Sequence, residues 1–414
     1  MTNFFKEFMH YIRTSAGICI LILSLSLLAV NICSAQSSEI RTNIIKKSSL
    51  DFFKDAYVHG EKKSKKIISD FLAEADGLLK SAPHSVMEKS IIPPSGDKHD
   101  FMSMGPYWWP DPSKKDGLPY IRRDGERNPE YYQIPDQEYF STLMYNTQTL
   151  TVAFYITGDS TYAIKAVELI KVWFLNDETK MNPNMQHAQY IPGINTGRGI
   201  GLIETSGIFR VLDAVQILRS SALWSREDDK KFVNWMESYF TWITTHPYGI
   251  DESKEKNNHG TWYDVQAGSL ALFLGKTDFA KKLFEDAKAK RIGAQIEPNG
   301  EQPLELARTK SWSYCNMNLT AFIHLALLAE TVNVDLWNYQ SERGGSIRKA
   351  VNFLLPFAAG TDKWKHQQIA EFHTDSILHS LILAAKKYDG KFYNNWMEEI
   401  FHGKAPITLI NLLN

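Results

Sequence analysis

The chain has 414 residues, 43% of them hydrophobic and 22% charged, an ordinary globular composition with ample material for a large core. A formal net charge of −1 gives no electrostatic ground for binding nucleic acid or an acidic membrane surface. With 11 Trp, 18 Tyr and 22 Phe the chain is rich in rings, which serve a core and also suit sugars, whose C–H faces stack on them.

The first 35 residues read as a targeting segment. Lys6, His10 and Arg13 precede an apolar run over 16–30, and Cys33-Ser34-Ala35 supplies the small residues a signal peptidase needs for cleavage after Ala35. The run is short for a membrane span, so no span is expected after cleavage. The remaining chain, 36–414, is expected in the periplasm or outside the cell. Lipid attachment through Cys33 is the alternative, which the bulky Ile32 before it disfavours. Cys19 and Cys33 fall in this segment, so the mature chain keeps Cys315 alone and forms no intrachain disulfide.

Apolar spacing predicts helices over 49–58 and 62–81. Residues 82–136 are then crowded with Pro and Gly, a long irregular stretch of the kind that is functional or disordered. Its many aromatic residues argue for order. From 137 onward the pattern predicts helices over 140–156, 162–175, 205–218, 227–244, 262–274, 278–291, 313–331, 346–357, 367–387 and 392–400. Turns such as Gly275-Lys276-Thr277-Asp278 separate them, and no fixed repeat period appears. Helical hairpins without a strict repeat predict an all-α chain, an α/α toroid, closed or incomplete, in one large domain. Such a fold holds a cleft at one end of the helix ring, lined by inter-helix loops.

Four stretches carry candidate chemistry. Gly105-Pro106-Tyr107-Trp108-Trp109-Pro110-Asp111-Pro112 sets three large rings between prolines, either plugging helix ends or offering a sugar-stacking platform. The stretch from Ile194 to Glu204 has three glycines for close backbone approach, but no βαβ unit surrounds it, which excludes nucleotide binding. Its Arg198 either forks onto a carboxylate or pairs with Glu204. Asn257-Asn258-His259-Gly260-Thr261-Trp262-Tyr263 begins a helix with one cap more than it needs and a His besides. Arg308, Lys310 and Tyr314 follow, where a phenol with a pKa near 10 becomes a useful base only beside positive charge. The histidines show no metal-ligand spacing, no G-x-S-x-G elbow occurs, and neither metal nor organic cofactor is expected. Asp264, Glu301, Glu305 and Glu371 remain available as a carboxylate pair for glycoside hydrolysis.

Taken together, Asn257 to Tyr263 and Arg308-Thr309-x-Ser311-x-x-Tyr314 resemble the alginate lyase family. The loop 105–112 and the stretch 195–204 extend the similarity to about residues 60–385. The resemblance implies an α/α toroid and β-elimination at the 1,4 linkage of a polyuronate, mannuronate-rich alginate or glucuronan. It implies that Asn258 and His259 stand at carboxylate-neutralising and catalytic positions, Tyr314 at the catalytic tyrosine and Arg308 at its basic partner. Arg198, Tyr107, Trp108, Trp109 and Tyr263 are further candidate substrate contacts. The residue types suit the chemistry. Neutralising the carboxylate makes the C5 proton removable, and the departing O4 takes a proton from Tyr314. In a mannuronate-type unit that proton and O4 lie on one face, so Tyr314 acts as base and acid in turn. With opposite faces, His259 is the base. The expected partner is an anionic polysaccharide. The rivals are an α/α-toroid glycoside hydrolase and a non-catalytic glycan-binding protein.

Overall fold

A computed structural model describes residues 40–414, so the expected targeting segment lies outside the described residues. Two helices, α1 (Lys47–His59) and α2 (Lys65–Leu78), lead into five hairpins. These pair α3 (Asp136–Thr157) with α4 (Ser160–Phe174), and α5 (Phe209–Leu218) with α6 (Arg226–Thr245). After the short α7 (Pro247–Lys254) come α8 (Asn258–Phe273) with α9 (Thr277–Ala287). A four-residue α10 (Pro303–Leu306) precedes α11 (Ser311–Glu330) with α12 (Ile347–Ala358). Last come α13 (Leu378–Lys387) with α14 (Gly390–Phe401), and a final turn, α15 (Leu409–Leu412).

Helices α3, α5, α8, α11 and α13 pack against one another as an inner ring, and α4, α6, α9, α12 and α14 cover them. The sequence explains this division. In α8 all but two residues are buried, so it has no solvent face. In α9 only Ala280, Phe284 and Ala287 are buried, the single stripe of an outer helix. The chain is the α/α toroid that the hairpin pattern predicts, and residues 41–414 form one compact unit. Its ends meet: the Lys46 N–H donates to the Leu413 carbonyl at 2.7 Å, and Lys46 and Lys387 both pair with Glu330.

Two differences from the sequence reading have clear causes. The helix expected over 367–387 begins only at Leu378, because 367–369 lies against the start of α11. There the Ser311 N–H donates to the Gln367 carbonyl and the Ile369 N–H to the Thr309 carbonyl, so tertiary bonds replace helical ones. The polar run before Asn257 is partly the helix α7, started by Pro247 at its first position under a His246 cap.

Within 82–136 lie two short strands, β1 (Met102–Met104) and β2 (Trp108–Trp109), and then β3 (Ile121–Arg122). β2 pairs antiparallel with β3, setting Trp108 opposite Arg122 and Trp109 opposite Ile121. β1 pairs in parallel with β4 (His187–Tyr190). Residues of β2, β3 and β4 form part of the wall of the cavity described next.

Candidate active site

A cavity of about 760 Å³ opens there, and Tyr314, His259, Asn258 and Arg308 all line it. Asn257 caps α8, its side chain accepting from the His259 N–H at 3.1 Å. That cap turns His259 into the cavity at the first helical turn. The entry is tight. A Cβ on Gly260 would stand 2.0 Å from the Glu255 carbonyl and 2.3 Å from Arg291 Nη1, so only glycine fits. Arg291 sits in a π-helical turn (Lys288–Gly293), forks onto Asp264 and donates to the carbonyls of Ser253 and Glu255. It ties the chain before α8 to α8 itself.

His259 Nδ1 lies 2.8 Å from Glu252 Oε1, a carboxylate with no exposure. A carboxylate fixes the proton on Nδ1 and leaves the Nε2 lone pair free. Glu252 belongs to α7, inside the polar run before Asn257. Burial raises its pKa, and His259 opposes that shift.

Asn258 departs from expectation. Its amide N–H₂ donates to both oxygens of Glu305, at 3.0 and 2.8 Å, and its backbone N–H to Oε1 at 2.6 Å. The amide oxygen is buried without a partner. The donor role expected of Asn258 toward a sugar carboxylate is therefore taken up by Glu305 in this arrangement.

At the start of α11 the Tyr314 hydroxyl accepts from Arg308 Nη2 at 2.8 Å and donates to the Tyr107 hydroxyl at 2.9 Å. The guanidinium carbon of Arg308 lies 3.9 Å from the centre of the phenol ring. Asp124 holds Arg308 from behind, accepting from Nε at 3.1 Å and Nη2 at 2.8 Å. Burial and the Tyr107 hydroxyl raise the Tyr314 pKa, and Arg308 only partly opposes them. Tyr314 thus rests protonated, contrary to the phenolate that its basic neighbours suggest in sequence. Lys310 is not among these partners: its Nζ stands 5.7 Å over the Tyr107 ring.

The 105–112 loop divides by strand alternation. Trp108 and its cross-strand partner Arg122 face the cavity together with Tyr107. Trp109 points to the other face, where its indole N–H donates to the Glu126 carbonyl and Arg123 covers its ring at 5.1 Å. It does not line the cavity. Neither does Tyr263, a core residue whose hydroxyl donates to the Ile243 carbonyl at 3.1 Å. Tyr263→Phe is therefore expected to leave turnover intact and to lower stability by about 1 kcal/mol, as thermal unfolding reads.

Arg198 does reach the cavity, but it bonds Gln189 Oε1 at 2.8 Å and lies 5.8 Å from the Trp108 ring centre, rather than pairing with Glu204. Glu204 instead accepts from the Ser103 hydroxyl at 2.6 Å. Burial pushes its pKa up to about 7 against Ser103, Gln189 and Arg198. As pH rises through 7 a negative charge appears beside Arg198 and repels an anionic ligand. KM for such a ligand is expected to rise by roughly fivefold above that pH, about 1 kcal/mol. Glu204→Gln should flatten the rise, which pH-dependent kinetics checks.

Five arginines line the cavity, Arg122, Arg127, Arg198, Arg210 and Arg308, against two acidic residues, Glu204 and Glu255. None of Asp264, Glu301, Glu305 and Glu371 lines it, so the carboxylates considered for glycoside hydrolysis are not on the cavity wall. Among the described residues no group of three His, Cys, Asp or Glu gathers as a metal site, and no helix is long and apolar enough to cross a membrane.

The model of the alginate lyase family matches residues 85–364. The chain belongs to the alginate lyase family. Its fold and a 37% sequence identity match an alginate lyase from Bacteroides ovatus, with a TM-score of 0.85 over 90% of this chain and 98% of that one. Alginate lyase A1-III from Sphingomonas species A1 shares the fold at 17% identity and a TM-score of 0.51, over 77% of this chain and 86% of that one. A variant of A1-III complexed with a tetrasaccharide matches equally, at 17% identity, a TM-score of 0.51 and the same coverage. No curated protein matches the sequence. The family makes this chain a polysaccharide lyase, and the fold and family expected from the sequence both hold.

Proposed function

We propose that this lyase cleaves 1,4-linked polyuronate, mannuronate-rich alginate first, with Tyr314, His259, Arg308 and Asn258 as its working groups. The observation that carries the proposal is that two hydrogen-bonded pairs, Tyr314–Arg308 and His259–Glu252, open onto one arginine-lined cavity. The arginines suit a polyanion, and the Bacteroides ovatus relative is described as an alginate lyase.

On this reading the Tyr314 proton leaves first and His259 Nε2 accepts it, since Glu252 holds Nδ1. For a mannuronate-type unit, His259 first takes the Tyr314 proton, directly or through one water. The phenolate, held by Arg308, removes the C5 proton and then returns it to the departing O4. The C4–O4 bond breaks, a C4=C5 double bond forms, and no water is added. For a unit with the C5 proton and O4 on opposite faces, His259 removes that proton and Tyr314 protonates O4.

Neutralising the sugar carboxylate falls to Arg308, whose Nη1 makes no hydrogen bond among the described residues. Asn258 joins it once its amide turns over. That turn releases the N–H₂ from Glu305 toward the sugar; burial raises the Glu305 pKa, and the hydrogen bonds from Asn258 oppose that shift. Secretion to the periplasm or beyond, expected from the first 35 residues, is part of the same proposal.

A panel of alginate, polymannuronate and glucuronan, followed by the ultraviolet absorbance of unsaturated uronate ends, tests the substrate assignment. Polymannuronate and alginate should be cleaved fastest. Activity on glucuronan alone would refute it.

A further inference from the structure

The proposed chemistry leaves part of the cavity unused. Along α11 a stripe of Tyr314, Met317, Thr320 and His324 faces the cavity. Ten residues separate Tyr314 from His324, about 15 Å of helix and more than one sugar ring. Toward that end three nitrogen-bearing side chains, Trp262, His324 and Arg210, line the cavity with polar atoms that have no hydrogen-bond partner among the described residues. Trp262 is 8% exposed and His324 6%, yet Trp262 Nε1 and His324 Nδ1 have no hydrogen-bond partner. Arg210 completes the group. Its guanidinium carbon lies 5.3 Å over the Phe209 ring, and the side chain makes no hydrogen bond or ion pair among the described residues. The rings bind these residues into one cluster, with His324 centred 4.8 Å from Phe209 and 5.7 Å from Trp262.

This arrangement is costly unless something fills it. The other cavity arginines are engaged: Arg308 and Arg122 on Asp124, Arg127 on Tyr132, and Arg198 on Gln189. Arg210 has no carboxylate facing it. The nearby His324 and His379 are both held neutral, by burial first and by the Arg210 charge as well. The inner wall therefore carries a single uncompensated positive charge and two N–H-bearing rings. A singly charged, planar anion matches that set, because a guanidinium forks onto a carboxylate. Gly207 keeps the space open, since a Cβ there would meet Arg210 Nη1 and Met144 at 3.2 Å.

We infer that Arg210, with Trp262 and His324, forms a second carboxylate site for a uronate unit at least one residue away from the linkage being cut. This rests on the polyuronate reading above. The site anchors the chain away from Tyr314 and so sets KM and product length.

Arg210→Met and Arg210→Lys test it, by steady-state kinetics on polymannuronate with product sizing. Tryptophan fluorescence is read alongside as free glucuronate is titrated, with glucose and inorganic phosphate as controls. Arg210→Met should raise KM about tenfold or more, with a smaller fall in kcat, and change the product lengths. Arg210→Lys should recover part of the affinity. Because an unpaired charge is removed, the melting temperature of Arg210→Met should hold or rise, whereas losing a structural arginine would lower it. Glucuronate, not glucose, should quench the parent, and not Arg210→Met. Unchanged KM and products in Arg210→Met, a glucuronate response independent of Arg210, or phosphate bound in preference would each overturn the inference. If the parent cleaves no polyuronate yet binds glucuronate through Arg210, the site stands and the lyase substrate assignment falls. If the parent cleaves and Arg210→Met matches it, the reverse holds.

Discussion

Tyr314→Phe is expected to lower kcat on polymannuronate by roughly 10²–10⁴-fold while leaving KM nearly unchanged. The ring stays, so packing against Arg308 and the cavity shape stay with it. What goes is the hydroxyl that accepts from Arg308 and donates to Tyr107. No other hydroxyl in this constellation carries a guanidinium against it, so no neighbour takes over the transfer to O4. Binding of the polymer, measured by calorimetry on the same variant, should persist. A variant that retains turnover would remove Tyr314 from the chemistry. A parent that binds polymer but never turns it over would instead make the chain a glycan-binding protein.

The second large effect concerns His259. His259→Ala should also lower kcat by roughly 10²–10⁴-fold near neutral pH. Its pH profile should differ from that of Tyr314→Phe. Burial and Tyr107 keep the Tyr314 proton on, and without the imidazole only solvent base removes it. The residual rate of His259→Ala should therefore climb with pH, while that of Tyr314→Phe should not. Glu252→Gln should act in the same direction with a smaller loss. The amide oxygen still accepts from Nδ1, but the negative charge that stabilises the imidazolium is gone. A flat profile for His259→Ala would deny it the proton-accepting role.

The legible parts of this chain are those that local physics writes locally. Helix hairpins show in apolar spacing, and the Asn257 cap shows in residue type. Arg308 and Tyr314 stand six residues apart on either side of a helix start, close enough that their pairing follows from sequence. The partners that orient them leave no local trace. Asp124 is 184 residues from Arg308, and Glu305 is 47 from Asn258. Glu252 is only seven residues from His259, yet it is hidden in a polar run because the Pro247 start of α7 carries few apolar residues. Trp109 and Tyr263 are adjacent to site residues and turned away from them. Trp109 follows Trp108 on a strand, where neighbours face opposite sides. Tyr263 follows Trp262 on an inner helix, where every side is buried and chemistry type alone does not reveal which side is the cavity. Arg210 gives no sequence signal, since its significance is the absence of a partner.

Elimination itself is most directly tested by counting both ends of each cut on polymannuronate. The ultraviolet absorbance of unsaturated uronate and the reducing ends are measured in one time course. One unsaturated end should appear for every new reducing end from the first turnover onward. Reducing ends that accumulate without that absorbance would mean water had been added across the linkage, and Tyr314 and His259 would lose their roles as the acid and base of an elimination.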